Sequence, residues 1–305
     1  MGGGVNTVYL LFRALRPLNL FLIALTPLAL WLVLVRPLPV TLFMDQRQVF
    51  MLGVALALVA GAGNVVNDIA DRTIDRLNAS FNPLNEGLPL SAAWTLYLVL
   101  NFIAALLTWQ LAGDLDAWRY TPLLPLAIGS LIAYAFALKC LPWIGNVVVA
   151  LLCASVPGIL FLAEPALLSG ISVTITTQSL VAYTGFAFFG TWSRELAKDL
   201  EDQSGDRAAG CRTLASVWPV SRYVGLVWIC CFAAMACVAY LAGVWFRAEE
   251  FVLAGSWAAL WLLLASIVAN THRAMSPKDA ADLSRHLKLA LGFGLLLLIF
   301  VGLPS

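Results

Sequence analysis

Apolar residues in this chain come in long, nearly unbroken runs rather than in stripes. The runs cover roughly residues 17–35, 49–67, 91–112, 121–138, 145–163, 178–196, 222–243, 251–270 and 286–303. A helix needs about 20 apolar residues to cross the hydrocarbon core of a bilayer. Each run therefore predicts one membrane-spanning helix, about nine in all. The connections are mostly short, so consecutive helices should run antiparallel. Pro27, Pro125 and Pro157 fall inside runs, where each is expected to kink or break its helix. No stretch reads as a separate soluble domain, and residues 1–305 are expected to form a single polytopic, all-α membrane domain.

Composition agrees with the pattern. The chain is 61% hydrophobic and only 11% charged, and its mean hydropathy is +0.89. Soluble proteins carry roughly 25% charged residues. The net charge of +1 gives no reason to expect a nucleic-acid partner. Six cysteines and two histidines, His272 and His286, show no metal-ligand spacing, and neither zinc, an iron–sulfur cluster nor a disulfide framework is expected. Arg13 and Arg16 precede the first apolar run as in a signal peptide, but the run is too long and has no cleavage site, so it reads as a retained first span. Asn6 stands where a myristoylation signal needs Ser or Thr.

The distribution of charge then orients the chain. With faces alternating along the nine spans, the N-terminal face collects 14 of the 18 Lys and Arg residues, Arg273 among them. The other face holds Arg36, Arg47, Arg119 and Arg247. The excess predicts a multi-pass plasma-membrane protein with a cytoplasmic N-terminus and cytoplasmic even-numbered connections.

Two of those connections carry acids in one pattern. After the second span the chain reads Asn67-Asp68-Ile69-Ala70-Asp71-Arg72-Thr73-Ile74-Asp75-Arg76. After the sixth it runs from Asp199 through Asp202 and Asp206 to Arg207, each Asp 131 residues beyond its counterpart. Matching spacing at equivalent places in the helical order suggests two related halves. On a helix, positions i, i+3 and i+7 share a face. Asp68, Asp71 and Asp75 should project together beside Asn67, and Glu195, Asp199, Asp202 and Asp206 likewise. Either cluster alone also fits a solvated loop whose acids pair with Arg72, Arg76, Lys198 and Arg207.

Two clusters point instead to a hard cation. Mg²⁺ takes oxygen ligands, typically one or two carboxylates plus substrate phosphates. Facing clusters would hold a diphosphate, and loss of that group from an allylic chain needs its charge stabilised and water excluded. Lys139, at the end of the fourth run, is the strongest candidate for a phosphate contact, with a membrane anchor as its other reading. Arg16 with Asn19, and Arg72, Arg76 and Arg207, are weaker candidates for the same role. Tyr134 is a weak candidate for shielding a carbocation.

These residues resemble the UbiA superfamily of intramembrane prenyltransferases. Asn67, Asp68, Asp71 and Asp75 match its first motif, and Asp199, Asp202 and Asp206 its second. The stretches Arg16-Pro17-Leu18-Asn19, Leu138-Lys139 with Pro142 and Gly145-Asn146, Arg194-Glu195 to Lys198-Asp199, and Gly205-Asp206-Arg207 look most like the geranylgeranylglycerol-phosphate geranylgeranyltransferase branch. The resemblance implies nine spans around a central cavity, Mg²⁺ dependence, a prenyl diphosphate donor and a hydrophobic or amphipathic acceptor. The six aspartates would be the metal-binding and catalytic set, with Asn67, Lys139, Tyr134, Arg16, Asn19, Arg72, Arg76, Glu195, Lys198 and Arg207 around the substrate. The chain departs from the family where Ala79 and Asn82 replace two bases, Glu86 adds an acid and Ala215 replaces a common Pro. A terpene cyclase acting without an acceptor, and more remotely a cation transporter, remain alternative readings.

Overall fold

The computed structural model describes residues 6–38, 41–78, 80–164, 167, 175–271 and 275–302. Ala79, His272 and Arg273 lie outside them. Among the described residues every regular element is helical. All nine apolar runs fall on helices. Eight of these, Pro17–Val35, Gln46–Leu77, Leu90–Asp114, Trp118–Leu138, Ile144–Ala163, Val220–Arg247, Phe251–Ala269 and Pro277–Phe300, are long and apolar enough to cross a membrane. The sixth run lies on Ile175–Glu201, which has the length but not the apolarity. Thr176, Thr177, Gln178, Ser179, Thr184, Thr191 and Ser193 lower its hydropathy. It tolerates them because much of the helix, Thr176, Ser179, Thr191 and Ser193 included, is buried against protein rather than lipid.

The chain forms two compact units, each assembled from separated stretches. The first comprises Met1–Leu25, Arg47–Gly145 and Ser204–Thr213. A short helix, α1 (Thr7–Leu15), opens it. Asn6 caps α1 by accepting a hydrogen bond from the Val8 N–H (2.9 Å), and Arg16 ends it in the left-handed region (φ 54°). Pro17 then starts α2 (Pro17–Leu30), a position that suits proline because the first turn lacks amide partners anyway. The long α3 (Gln46–Leu77) packs its buried Ala62, Val65 and Val66 with Leu10 and Ala14 of α1. Tyr97 and Leu100 of α4 (Leu90–Asp114) and the loop residues Leu84 and Leu88 complete that core. Gly63 lets α3 approach Leu131 of α5 (Leu123–Ala133): a Cβ there would lie 2.9 Å from a Leu131 methyl. Along α4, Leu98, Phe102, Leu106 and Trp109 are exposed on one face. An apolar face of that kind suits lipid.

The second unit comprises Thr26–Gln46, Asn146–Gln203 and Leu214–Ser305. It includes α6 (Ile144–Gly158) from Asn146 on, α7 (Leu160–Ala163), α8 (Ile175–Glu201), α10 (Leu214–Val217), α11 (Val220–Arg247), α12 (Phe251–Ala269) and α13 (Pro277–Gly302). The remaining helix, α9 (Gln203–Ala208), lies almost wholly in the first unit. α8 packs against both α11 and α13. Gly190 and Gly294 permit the close approach of α13 to α8, where Cβ atoms would crowd Leu291 and Phe186. Tyr223 donates to the Leu196 carbonyl (2.7 Å).

The prolines act as expected in part. α6 stops one residue after Pro157. Four residues after Pro27 the helix widens to i→i+5 bonds over Trp31–Val35. Pro125 sits in the first turn of α5 and is accommodated there.

Candidate functional site

The first aspartate motif is not in a connection, as its sequence suggested, but on the last three turns of α3 itself. The helix is continuous there, so Asp68, Asp71 and Asp75 do share a face. Each carboxylate has a defined partner. Asp68 is buried (4% exposed) and accepts a hydrogen bond from Arg16 Nη2 at 2.7 Å. Arg16 reaches it from the left-handed turn between α1 and α2 and also donates to Asn64 Oδ1 (3.2 Å). Asp71 pairs with Lys139 and accepts from Asn67 Nδ2 (2.6 Å). Asp75 accepts from Asn82 Nδ2 (2.7 Å).

Lys139 is delivered by an unusual turn. The end of α5 widens over Tyr134–Leu138, and the Lys139 N–H donates to the Tyr134 carbonyl, five residues back, at 3.1 Å. Such single wide turns often mark functional positions. The chain then folds back so tightly that a Cβ on Gly145 would lie 2.8 Å from the Lys139 Cα. Tyr134 is half-buried on the same turn. Asn19, half-buried on the first turn of α2, donates its N–H to the Arg16 carbonyl (2.9 Å).

The second motif departs from its expected shape. α8 ends at Glu201, Asp202 falls at a bend, and α9 resumes at Gln203. The four acids therefore do not share one helix face. Ser204 and Gly205, poor helix formers, follow the break. Gly205 is pressed against the Asn78 side chain: a Cβ there would overlap that amide. Within the first unit, the tail of the second motif thus meets the residue just beyond the first. It also joins the lysine turn, since Cys140 and Cys211 are disulfide-bonded and the Arg212 N–H donates to the Cys140 carbonyl (3.1 Å). Their 71-residue separation gave no sign of this pairing.

In the second unit Asp199 accepts from Asn146 Nδ2 (2.9 Å), and Asn146 is buried near the start of α6. Glu195 pairs with the adjacent Arg194. Asp206 is buried, whereas Lys198 and Arg207 are exposed. Arg76 donates to Asn85 Oδ1 (3.2 Å) and Arg72 is exposed, meeting the following loop through its carbonyl. Sequence reasoning missed Asn64, Asn85, Asn146 and Arg194 as participants. Asn146 and Arg194 carried a signal, in the Gly145-Asn146 and Arg194-Glu195 pairs.

The donor set is all oxygen. Among the described residues no three His, Cys, Asp or Glu side chains gather closely enough to cage a metal. Mg²⁺ rarely uses an all-protein cage and is usually completed by substrate phosphates. Asn67 Oδ1 is buried beside Asp71 without a hydrogen-bond partner. An orphaned acceptor of this kind fits a hard cation or its water.

Residues 24–292 match the UbiA prenyltransferase family. The chain belongs to that family. It is therefore a prenyltransferase, carried by multiple membrane helices. It is 36% identical over 210 residues to the digeranylgeranylglyceryl phosphate synthase of Methanoculleus marisnigri, covering 67% of this chain and 68% of that one. It is 34% identical over 165 residues to the enzyme of the same name from Natronomonas pharaonis, covering 54% of each. A solved structure described as giving insights into digeranylgeranylglyceryl phosphate synthase in membranes superposes with a TM-score of 0.63 over 98% of this chain and 99% of that chain. At 19% identity that likeness speaks for the fold.

Proposed function

We propose that the chain transfers a prenyl group from an allylic prenyl diphosphate to an amphipathic, glycerol-phosphate-type lipid acceptor, with Mg²⁺ as cofactor. The observation that carries this reading is the acidic face of α3. Three carboxylates are turned the same way and oriented by Arg16, by Lys139 with Asn67, and by Asn82. The lipid-type acceptor is supported by the relatives' name.

In this reading the carboxylates of the first motif, Asp68, Asp71 and Asp75, and those of the second, Asp199, Asp202 and Asp206, serve as metal ligands, completed by diphosphate oxygens. Bound Mg²⁺ would supply charge stabilisation for the departing diphosphate. Lys139 and Arg16 add positive charge where the leaving group's negative charge develops. The allylic C–O bond breaks with its electron pair passing to diphosphate. An acceptor oxygen then forms the new C–O bond and loses its proton. Apolar helices keep water from the carbocation. The cytoplasmic placement of the N-terminus and of both motifs in the plasma membrane is part of the same proposal and is supported by the Lys and Arg distribution.

The test is a product analysis by mass spectrometry. Purified protein in lipid receives a prenyl diphosphate with and without a glycerol-phosphate lipid. The proposal requires an acceptor-dependent ether product. A cyclic hydrocarbon formed from the donor alone would instead establish a cyclase.

A further inference from the structure

The loop after the first motif is fastened to α3 by two asparagines. Asn82 is fully buried (0% exposed). Its amide nitrogen donates to the Asp68 carbonyl (2.8 Å) and to Asp75 Oδ2 (2.7 Å), while its Oδ1 accepts from the Leu84 N–H (3.0 Å). Asn85 donates to the Arg72 carbonyl (2.9 Å) and accepts from Arg76 (3.2 Å). Leu84 and Leu88, buried in the core with α1, α3 and α4, hold the loop from its other side. An amide engaged through both of its ends cannot rotate without breaking a buried hydrogen bond. It therefore fixes the Asp75 carboxylate in one orientation. Being neutral, it does so without adding a charge that competes with a cation for the carboxylate.

We propose that Asn82 is a positioning residue that acts through Asp75 to set how tightly the first motif holds its divalent cation. This rests on the metal–diphosphate reading above. Partner residues that orient metal ligands typically contribute 10–100-fold in affinity or activity. The experiment uses the full chain in lipid and two readouts. One is binding of Mn²⁺ in the presence of inorganic diphosphate, followed by the loss of the free-ion electron paramagnetic resonance signal. The other is the Mg²⁺ concentration giving half-maximal transfer.

Asn82→Ala should weaken both by about ten-fold, with the rate restored at saturating Mg²⁺. Leu88→Ala, which loosens the same loop through its apolar core contact and touches no polar side chain of the site, should leave Mn²⁺ binding unchanged. In an Asp75→Asn background the further change Asn82→Ala should have no effect on Mn²⁺ binding, because the partner is gone. If Asn82→Ala does not accumulate as folded protein, Asn82→Ser is measured in its place with the same expectation. Wild-type Mn²⁺ binding in the Asn82 variant, or a weakening that persists in the Asp75→Asn background, overturns the inference. Failure of the unsubstituted chain to bind Mn²⁺ with diphosphate overturns the metal reading beneath it.

Discussion

At the residue scale, the carboxylates could be read from the sequence and their partners could not. The Asp68, Asp71 and Asp75 spacing is a property of one helix, and α3 realises it. Arg16 and Lys139 reach that helix from 52 and 68 residues away, and no local pattern encodes a contact at that range. The departure at Asn82 suggested a lost positive charge, whereas the structure gives it a job of its own as an Asp75 partner. Two expectations follow for the proposed roles. Asp71→Ala and Asp202→Ala should each lower kcat by more than about a hundred-fold, beyond the range typical of a merely orienting partner, while the thermal melt in detergent shows folded protein. Full activity in both variants contradicts the metal reading. Lys139→Ala should lower kcat/KM by about a hundred-fold, the scale of removing one preorganised charge stabiliser. Unchanged kinetics would make it a membrane anchor.

At the element scale, hydrophobic runs located the cores of the long helices but not their ends, and the short helices α1, α9 and α10 lie outside them. The first motif, and Asp199 of the second, sit on helices that extend beyond their apolar runs, because a helix can leave the bilayer without ending. The break at Asp202 was hidden because spacing alone implies continuity, and the close packing of Gly205 on Asn78 is a tertiary fact. The turn before Lys139 depends similarly on Gly145. Gly145→Ala should displace the Lys139 backbone and reduce transfer much as Lys139→Ala does, which steady-state kinetics of the two variants side by side will show. Glu164 is a different case. Buried at the end of α7 (1% exposed), it accepts from Trp31 Nε1 (3.2 Å), the Phe43 N–H (2.9 Å) and the Met44 N–H (3.1 Å). Each donor stranded by Glu164→Ala costs roughly 1–3 kcal/mol. That variant should melt at lower temperature yet keep the wild-type Mg²⁺ requirement, as paired melting and Mg²⁺-titration experiments would reveal.

At the scale of the whole molecule, composition alone identified a multi-pass membrane protein, and two spaced aspartate motifs pointed to its family. The helix under the sixth run is the instructive exception. The run on α8 is less apolar than those on the other long helices because its neighbours are helices, and a sequence does not announce which helix will be buried. The division into two compact units, with the tail of the second motif grouped with the first, was equally invisible to the repeat pattern. The proposed orientation makes Asp116→Cys reactive, and Glu86→Cys unreactive, toward an impermeant thiol reagent added to intact cells, relative to the unsubstituted chain. The reverse labelling would invert the membrane assignment. The central claim is metal-dependent prenyl transfer through the α3 carboxylates, and mass-spectrometric detection of the prenylated lipid product tests it most directly. Purified protein given donor, acceptor and Mg²⁺ should form that product and release diphosphate, and should form none with excess EDTA or with Asp71→Ala. Product formed equally well in EDTA and by the Asp71 variant would contradict the account.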